Sequence, residues 1–279
     1  MFIEYIKYFI LGLVQGVAEI LPISSSGHLA LAESLLQIRF SGNQLEVFTV
    51  FLHFASLLAL IIFMWPIIIR LIKGVFTYLF THDPARRSLA KPDFMTFIYL
   101  IIASIPVAIV GIFLEDKIAS IFGNLLFIGI DFAITGLVLL AVSFLFKKTG
   151  RDKYTWKNTL MAGLFQCIGV MPGISRSGIT MSGAKIAGLD DNHAKEFAFL
   201  LFIPVAFGSF IFSLDNLSGL AGSNQIPLYI TGMVAAFVFT LLALKYIFKR
   251  FSTKQYPYFA YYMFAISLFT IIYYFVAIA

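Results

Sequence analysis

Apolar residues run through this chain in long blocks rather than in alternation, and proline, glycine and charge divide the blocks into eight segments. Six are uninterrupted: residues 46–72, 94–114, 125–146, 197–213, 226–248 and 257–278. Each is close to the ~20 residues that a helix needs to cross a bilayer core. The other two, 5–36 and 159–189, start apolar and then break at proline, glycine and serine near their middles. This pattern predicts an all-α integral membrane protein.

Composition agrees: of 279 residues, 60% are hydrophobic and only 12% charged, against about 25% charged in soluble domains. The net charge of +6 is held between the segments. Arg70, Lys73, Arg86, Arg87 and Lys91 follow the first full span, and Lys147, Lys148, Arg151, Lys153 and Lys157 follow the third. Lys245, Lys249, Arg250 and Lys254 follow the fifth, whereas the loops with Glu115-Asp116-Lys117 and Asp215 are acidic or neutral. Such a distribution sets topology and favours anionic lipid; it excludes a nucleic-acid stripe. The lone Cys167 rules out a disulfide framework and a thiolate zinc site. Ala30-Leu31-Ala32 has the look of a signal-peptidase site, but Gln15 and Glu19 interrupt the stretch before it and Glu4 offsets Lys7, so cleavage is not expected.

The positive-inside rule puts the three basic loops in the cytoplasm. Two full spans separate the second and third of these loops, so segment 159–189 must enter and leave on the cytoplasmic side. By the same count 5–36 enters and leaves outside. Both broken segments are therefore expected to be re-entrant helical hairpins, inserted from opposite faces. An internal repeat points the same way. Shifted by 151 residues, "GLVQGVAEILPISSSG" overlies "GLFQCIGVMPGISRSG" with seven identities in sixteen, Gln15 on Gln166 and Ser25 on Arg176 among the pairs brought together. Glu46 and Glu196 coincide at an offset of 150. Each copy holds one hairpin and three spans, an odd number, so the expected architecture is an inverted-topology repeat, 1–146 and 147–279, within one membrane domain. Broken helices at matching places in inverted halves mark a midplane binding site.

The two breaks carry the chemistry. Gln15 and Glu19 share one helical face four residues apart. A carboxylate inside a membrane needs a partner, a proton or a metal, which makes Glu19 a functional candidate by default. After Pro22 come Ser24, Ser25, Ser26 and Gly27, then His28 as an acid, base or nucleophile. The second break, "PGISRSGIT", offers hydroxyls on Ser175, Ser177 and Thr180. There Gly178 is expected to let backbone approach a ligand, and Arg176 carries the paired N–H donors suited to phosphate oxygens. Together the tips suggest phosphoryl transfer on a lipid phosphate, since no nucleotide-cradling glycine loop is present. Weaker candidates are His53, as readily a structural histidine as a site residue, and Glu46 and Glu196 at span starts. His82 and His193 are expected in solvated loops, the Tyr256–Tyr262 group in an interfacial belt, and Asp131 receives no role.

"QGVAEILPISSSGH" and "PGISRSGIT" closely resemble the paired motifs of undecaprenyl-pyrophosphate phosphatases of the bacitracin-resistance type, in order and spacing. The resemblance implies removal of the terminal phosphate of undecaprenyl pyrophosphate, recycling the carrier lipid for peptidoglycan synthesis. It further implies a divalent cation, Mg²⁺ or Ca²⁺, a bacterial inner-membrane location and a site opening to the outer face. Bacitracin would compete by binding the lipid substrate, and a homodimer is allowed. Carried over by motif, Glu19 is the acidic or metal-linked residue, Ser25 and His28 the nucleophile or acid/base candidates, and Arg176 the pyrophosphate ligand. Ser24, Ser26, Gly27, Ser175, Ser177, Gly178 and Thr180 line the substrate. Some members have glutamate where this chain has Gln15, which leaves Glu19 as the single carboxylate for a cation, with Gln15 as a neutral oxygen beside it. Attack by Ser25, by His28 or by water stays open, Ser25 being preferred with His28 or Glu19 as its base. A transporter or flippase of the carrier lipid is the competing reading, because inverted repeats with broken helices are also transporter architecture.

Overall fold

The computed structural model describes residues 2–38, 44–121, 124–146, 150–212 and 225–277. Ten α-helices make up almost all of this. They are α1 (Phe2–Ile20), α2 (Ser25–Leu35), α3 (Gln44–Phe80), α4 (Pro84–Ile121), α5 (Leu125–Leu145), α6 (Trp156–Ile168), α7 (Arg176–Ile186), α8 (Asp191–Phe212), α9 (Ile226–Arg250) and α10 (Tyr256–Ala277). Six stretches are long and apolar enough to cross a membrane: Val47–Phe80, Pro84–Phe113, Leu125–Leu145, Asp191–Ile211, Ile226–Arg250 and Thr253–Ala277. They correspond one for one with the six expected spans. The protein is thus a multi-pass, all-α membrane protein.

The surface and the interior follow bilayer rules. Ile62, Ile101, Ile105, Leu137, Leu242 and Phe275 point outward, while Gln15, Glu19, Gln166, Lys185 and Lys195 are buried. With lipid outside, apolar surface needs no cover, and polar groups are tolerated where protein partners surround them.

The broken segments are α1–α2 and α6–α7, each a helix, a short tip and a second helix. The tips form where Pro22 and Pro172 cannot continue a helix. Serine side chains restart the chain: Ser24 Oγ accepts from the Gly27 N–H (3.4 Å) and Ser175 Oγ from the Gly178 N–H (3.2 Å), capping α2 and α7. Ser24 does so at φ +69° and Gly173 turns the second tip at φ +99°. At the start of α6, Thr155 and Asn158 form a reciprocal capping box.

Small residues decide how closely α1 docks. A Cβ on Gly12 would lie 2.1 Å from the Gly232 carbonyl oxygen, and one on Gly16 would lie 2.5 Å from that of Ala236. The four-residue spacing lets the α1 backbone touch α9. Gly12→Ala is therefore expected to cost about 1–3 kcal/mol by forcing the helices apart. Thermal melting in detergent checks this, with Gly111→Ala as the control, because nothing lies within 4 Å of a Cβ there.

Two expectations change. The basic stretch after the first span is not a loop. Helix α3 continues through Arg70 and Lys73 to Phe80, and α4 starts at Pro84, where Asp83 Oδ1 accepts from the Ala85 N–H at 2.9 Å. The helix runs through Pro66 and Gly74 without ending there, and proline at the first turn of α4 suits a helix start. His193 is not a loop residue either. It sits in the first turn of α8 and its Nδ1 pairs with Asp190 at 3.0 Å. Lys147, Lys148 and Asp215 lie outside the described residues, as do the side chains of Glu46, Glu115, Asp116 and Lys117.

Candidate active site

The two tips meet. Ser177 Oγ of the second donates to the Leu21 carbonyl of the first at 3.1 Å, and the Gly173 N–H reaches Ser26 Oγ at 3.5 Å. A Cβ on Gly178 would stand 2.9 Å from Pro22 Cβ, and one on Gly27 would stand 2.5 Å from the Phe132 ring and 3.0 Å from Gly173 Cα. These contacts revise the part expected of Gly178: the backbone it admits is that of the opposite tip. Several hydroxyls are likewise structural. Ser24 and Ser175 are helix caps, Ser24 and Ser26 lie 3.4 Å apart as do Ser175 and Ser177, and Thr180 Oγ1 donates to the Arg176 carbonyl at 2.7 Å. Thr135 of α5, unremarked in the sequence, braces the second tip by accepting from the Ser175 N–H at 3.1 Å.

Glu19 stands at the centre of this junction, its side chain 4% exposed. Its Oε2 accepts from Gln15 Nε2 at 3.0 Å and from the Ser25 hydroxyl. His53 Nε2 lies 3.5 Å from the same oxygen, and Arg176 Nη2 lies 3.9 Å from Oε1. Four elements thus converge on one carboxylate: α1 through Gln15, α2 through Ser25, α3 through His53 and α7 through Arg176. The Arg176 guanidinium rests over the Phe202 ring, 4.7 Å from its centre, which holds it beside Glu19 instead of snorkelling away. At 3.9 Å the contact with Glu19 is an ion pair without a hydrogen bond, and among the described residues no hydrogen bond draws on the guanidinium. Its N–H donors remain available to an anion.

His28 is held elsewhere. Its Nδ1–H donates to the Ser24 carbonyl at 2.7 Å, leaving Nε2 to accept from the Tyr262 hydroxyl at 2.7 Å, and its ring stacks on Tyr262 with centroids 5.6 Å apart. Of the two bases considered for Ser25, the one hydrogen-bonded to it is Glu19. His53 takes the place beside the carboxylate that sequence proximity suggested for His28. Its Nδ1–H donates to the Thr49 carbonyl at 2.9 Å, which aims Nε2 at Glu19. The signal was faint: a single histidine in an apolar helix, 34 residues from Glu19 and without a motif of its own.

Donors for a hard cation are few. Among the described residues no group of three or more histidine, cysteine or acidic side chains could hold a metal ion. Gln15 Oε1, however, is a buried oxygen with no hydrogen-bond partner, next to the Glu19 carboxylate. One amide oxygen and one carboxylate suit an oxygen-seeking ion that takes its remaining ligands from substrate and water.

A carboxylate hydrogen-bonded to a serine, beside an arginine with unused donors, is equipped to work on a phosphate ester or anhydride. Comparison with known proteins agrees: a model of the bacitracin resistance protein BacA family matches residues 8–269. The chain belongs to the BacA family. It is 34% identical over 273 residues, 98% of either chain, to undecaprenyl-diphosphatase 1 of Bacillus cereus. To the undecaprenyl-diphosphatase of Oceanobacillus iheyensis it is 33% identical over 271 residues, 96% of each, and to that of Acetivibrio thermocellus 28% over 277 residues, 98% of each. The span matched to the BacA family contains both tips, Glu19, His53 and Arg176.

Proposed function

We propose that this protein is an undecaprenyl-diphosphatase, hydrolysing undecaprenyl pyrophosphate to undecaprenyl phosphate and inorganic phosphate. Membership of the BacA family and the names of its relatives support hydrolysis over transport. The observation that carries the chemistry is the triangle of Ser25, Glu19 and Arg176: an acceptor on the hydroxyl, and 3.9 Å away an anion clamp with donors unspent.

In the reaction, Arg176 holds the terminal phosphate by paired N–H donors and takes up charge as it builds on the equatorial oxygens. Glu19 accepts the Ser25 proton while Ser25 Oγ forms a bond to the terminal phosphorus. The bond from that phosphorus to the bridging oxygen breaks, and undecaprenyl phosphate leaves. Glu19 gives the Ser25 proton to the departing phosphate. It then takes a proton from a water whose oxygen bonds to the phosphoserine phosphorus. The bond from phosphorus to Ser25 Oγ breaks and Glu19 returns the proton to Oγ, releasing inorganic phosphate and restoring Ser25. Gln15 and Glu19 would hold Mg²⁺ or Ca²⁺, and a bound ion would neutralise pyrophosphate charge. Ser26 and Ser177, tied across the tips, position the junction, while Gly27 and Gly178 allow its closeness.

The finer architecture belongs to the same reading. Two re-entrant hairpins in inverted halves are supported by matched packing: α1 lies on α9 as α6 lies on α4. The paired glycines agree, since a Cβ on Gly163 would meet the Ala103 carbonyl oxygen at 2.3 Å, as one on Gly12 meets that of Gly232. The halves are 1–146 and 147–279, in a bacterial cell membrane, with the site opening to the outer face and bacitracin acting on the lipid substrate.

The test uses purified protein in detergent with undecaprenyl pyrophosphate labelled in its terminal phosphate. Release of labelled phosphate, with a label trapped on wild type and His28→Ala but not on Ser25→Ala, is expected. Absence of release with Mg²⁺ and with Ca²⁺, together with lipid movement across liposomes, would favour the transporter. His53→Ala is expected to lower kcat/KM by about tenfold, the worth of one charge-assisted contact, and His53→Gln to restore part of it through an amide donor. Identical values for the two variants would remove His53 from the site.

A further inference from the structure

Away from the tips, the extensions of α3 and α4 enclose a groove of about 510 Å³, lined among others by Pro66, Ile69, Arg70, Lys73, Arg86 and Leu89. We infer that this groove is a binding site for an anionic membrane phospholipid, its phosphodiester held by Lys73 and Arg86 and its acyl chains lying along Pro66, Ile69 and Leu89.

The groove sits where membrane gives way to water. Helix α3 has 37 residues, about 55 Å at 1.5 Å per residue, against a hydrocarbon core of about 30 Å. Trp65, exposed five residues before Arg70, marks the interfacial level at this end. Beyond it, residues 70–93 carry five cations, Arg70, Lys73, Arg86, Arg87 and Lys91, against the carboxylates Asp83 and Asp93. Arg70 is largely committed, to Asp93 at 3.3 Å and Glu196 at 3.6 Å, and Arg87 lies over the Tyr78 ring. Lys73 has no carboxylate within ion-pair distance among the described residues, and Arg86, 76% exposed, has only the flanking Asp83 at 3.5 Å. Two cations at the groove thus lack a strong counter-charge.

The same surface is apolar where a water-facing hairpin would be polar. Leu89 is 81% exposed, Phe80 69% and Phe76 60%. Cations interleaved with bare leucine and phenylalanine ask for an occupant with both an anionic head and hydrocarbon, so a soluble anion meets half of the requirement and a zwitterionic lipid the other half. Each cation near an anionic headgroup contributes about 1 kcal/mol. The two at this groove therefore correspond to a preference for anionic over zwitterionic lipid of more than tenfold.

Native mass spectrometry of the full-length protein, from mixed micelles of equimolar phosphatidylglycerol and phosphatidylcholine, tests the assignment. Wild type is expected to retain phosphatidylglycerol over phosphatidylcholine by about tenfold or more. Lys73→Gln/Arg86→Gln should bring the ratio near one, while Lys245→Gln/Lys249→Gln, at the exposed basic end of α9, should leave it in place. No preference in wild type, or equal loss in both double variants, would overturn the site in favour of diffuse surface charge. Thermal melting separates the sources: phosphatidylglycerol should raise the melting temperature, and inorganic phosphate at matched ionic strength should not. Equal stabilisation by phosphate would overturn the lipid as occupant. Far-UV helix content verifies folding; if the double variant loses it, Arg86→Gln alone carries the same test from a water-exposed side chain.

Discussion

Glu19→Gln is expected to lower kcat/KM on undecaprenyl pyrophosphate by about 10²–10⁴-fold, the usual worth of a positioned general base. The substitution keeps the shape of the side chain and its polar contacts with Gln15 and Ser25, yet an amide cannot take the serine proton. Among the described residues no other carboxylate contacts Ser25, His28 is bound to Ser24 and Tyr262, and the nearest remaining base, His53, contacts Glu19 at 3.5 Å without a hydrogen bond to Ser25. The change keeps the packing, and the Arg176 it leaves without a carboxylate is 27% exposed and was held at 3.9 Å without a hydrogen bond. The melting temperature in detergent should therefore fall far less than activity does, which separates a chemical role from a structural one. A Glu19→Gln enzyme retaining more than about a tenth of wild-type kcat/KM would sink the assignment of Glu19 as base.

Arg176→Ala should be of comparable size, about 10³-fold, because it withdraws the cation on which phosphoryl charge accumulates. Among the described residues it also leaves the buried Glu19 with only the His53 ring, 3.5 Å away, as a potential counter-charge. Arg176→Lys is the informative companion. Lysine keeps the charge but not the paired fork or the delocalised plane that lies over Phe202, so it should recover about tenfold over alanine and stay well short of wild type. If both substitutions raise KM alone, Arg176 binds substrate uniformly; the reading here requires kcat to fall as well. Lysine restoring full activity would reduce the clamp to a point charge.

Much of this site was legible because its chemistry is packed into two short local motifs. Glu19 and Ser25 fall six residues apart across one proline break, and a charged residue in an apolar run is conspicuous wherever the fold places it. Arg176 could be tied to them only through the repeat, which put it opposite Ser25. What the sequence obscured has a common cause. Glycine, serine and threonine are read alike whether they serve a ligand or another piece of backbone. Gly178 faces Pro22 and Ser177 faces the Leu21 carbonyl, contacts set by the approach of segments some 150 residues apart, while Thr180 bonds within its own helix.

By itself, then, the sequence determined the class of molecule and which side chains are candidates for the chemistry. Span length, the placement of lysine and arginine, and the cost of a carboxylate in hydrocarbon are properties of the chain before it folds. Tertiary structure alone decided partnership. It assigned Glu19 rather than His28 to Ser25, because the turn of α2 carries His28 around toward α10 while the end of α1 brings Glu19 under the serine. It drew His53 in from α3 and extended α3 and α4 past the membrane into a basic hairpin. Hydrogen-bond partners depend on direction as well as proximity, and the direction of a side chain is known only once the helices carrying it have packed.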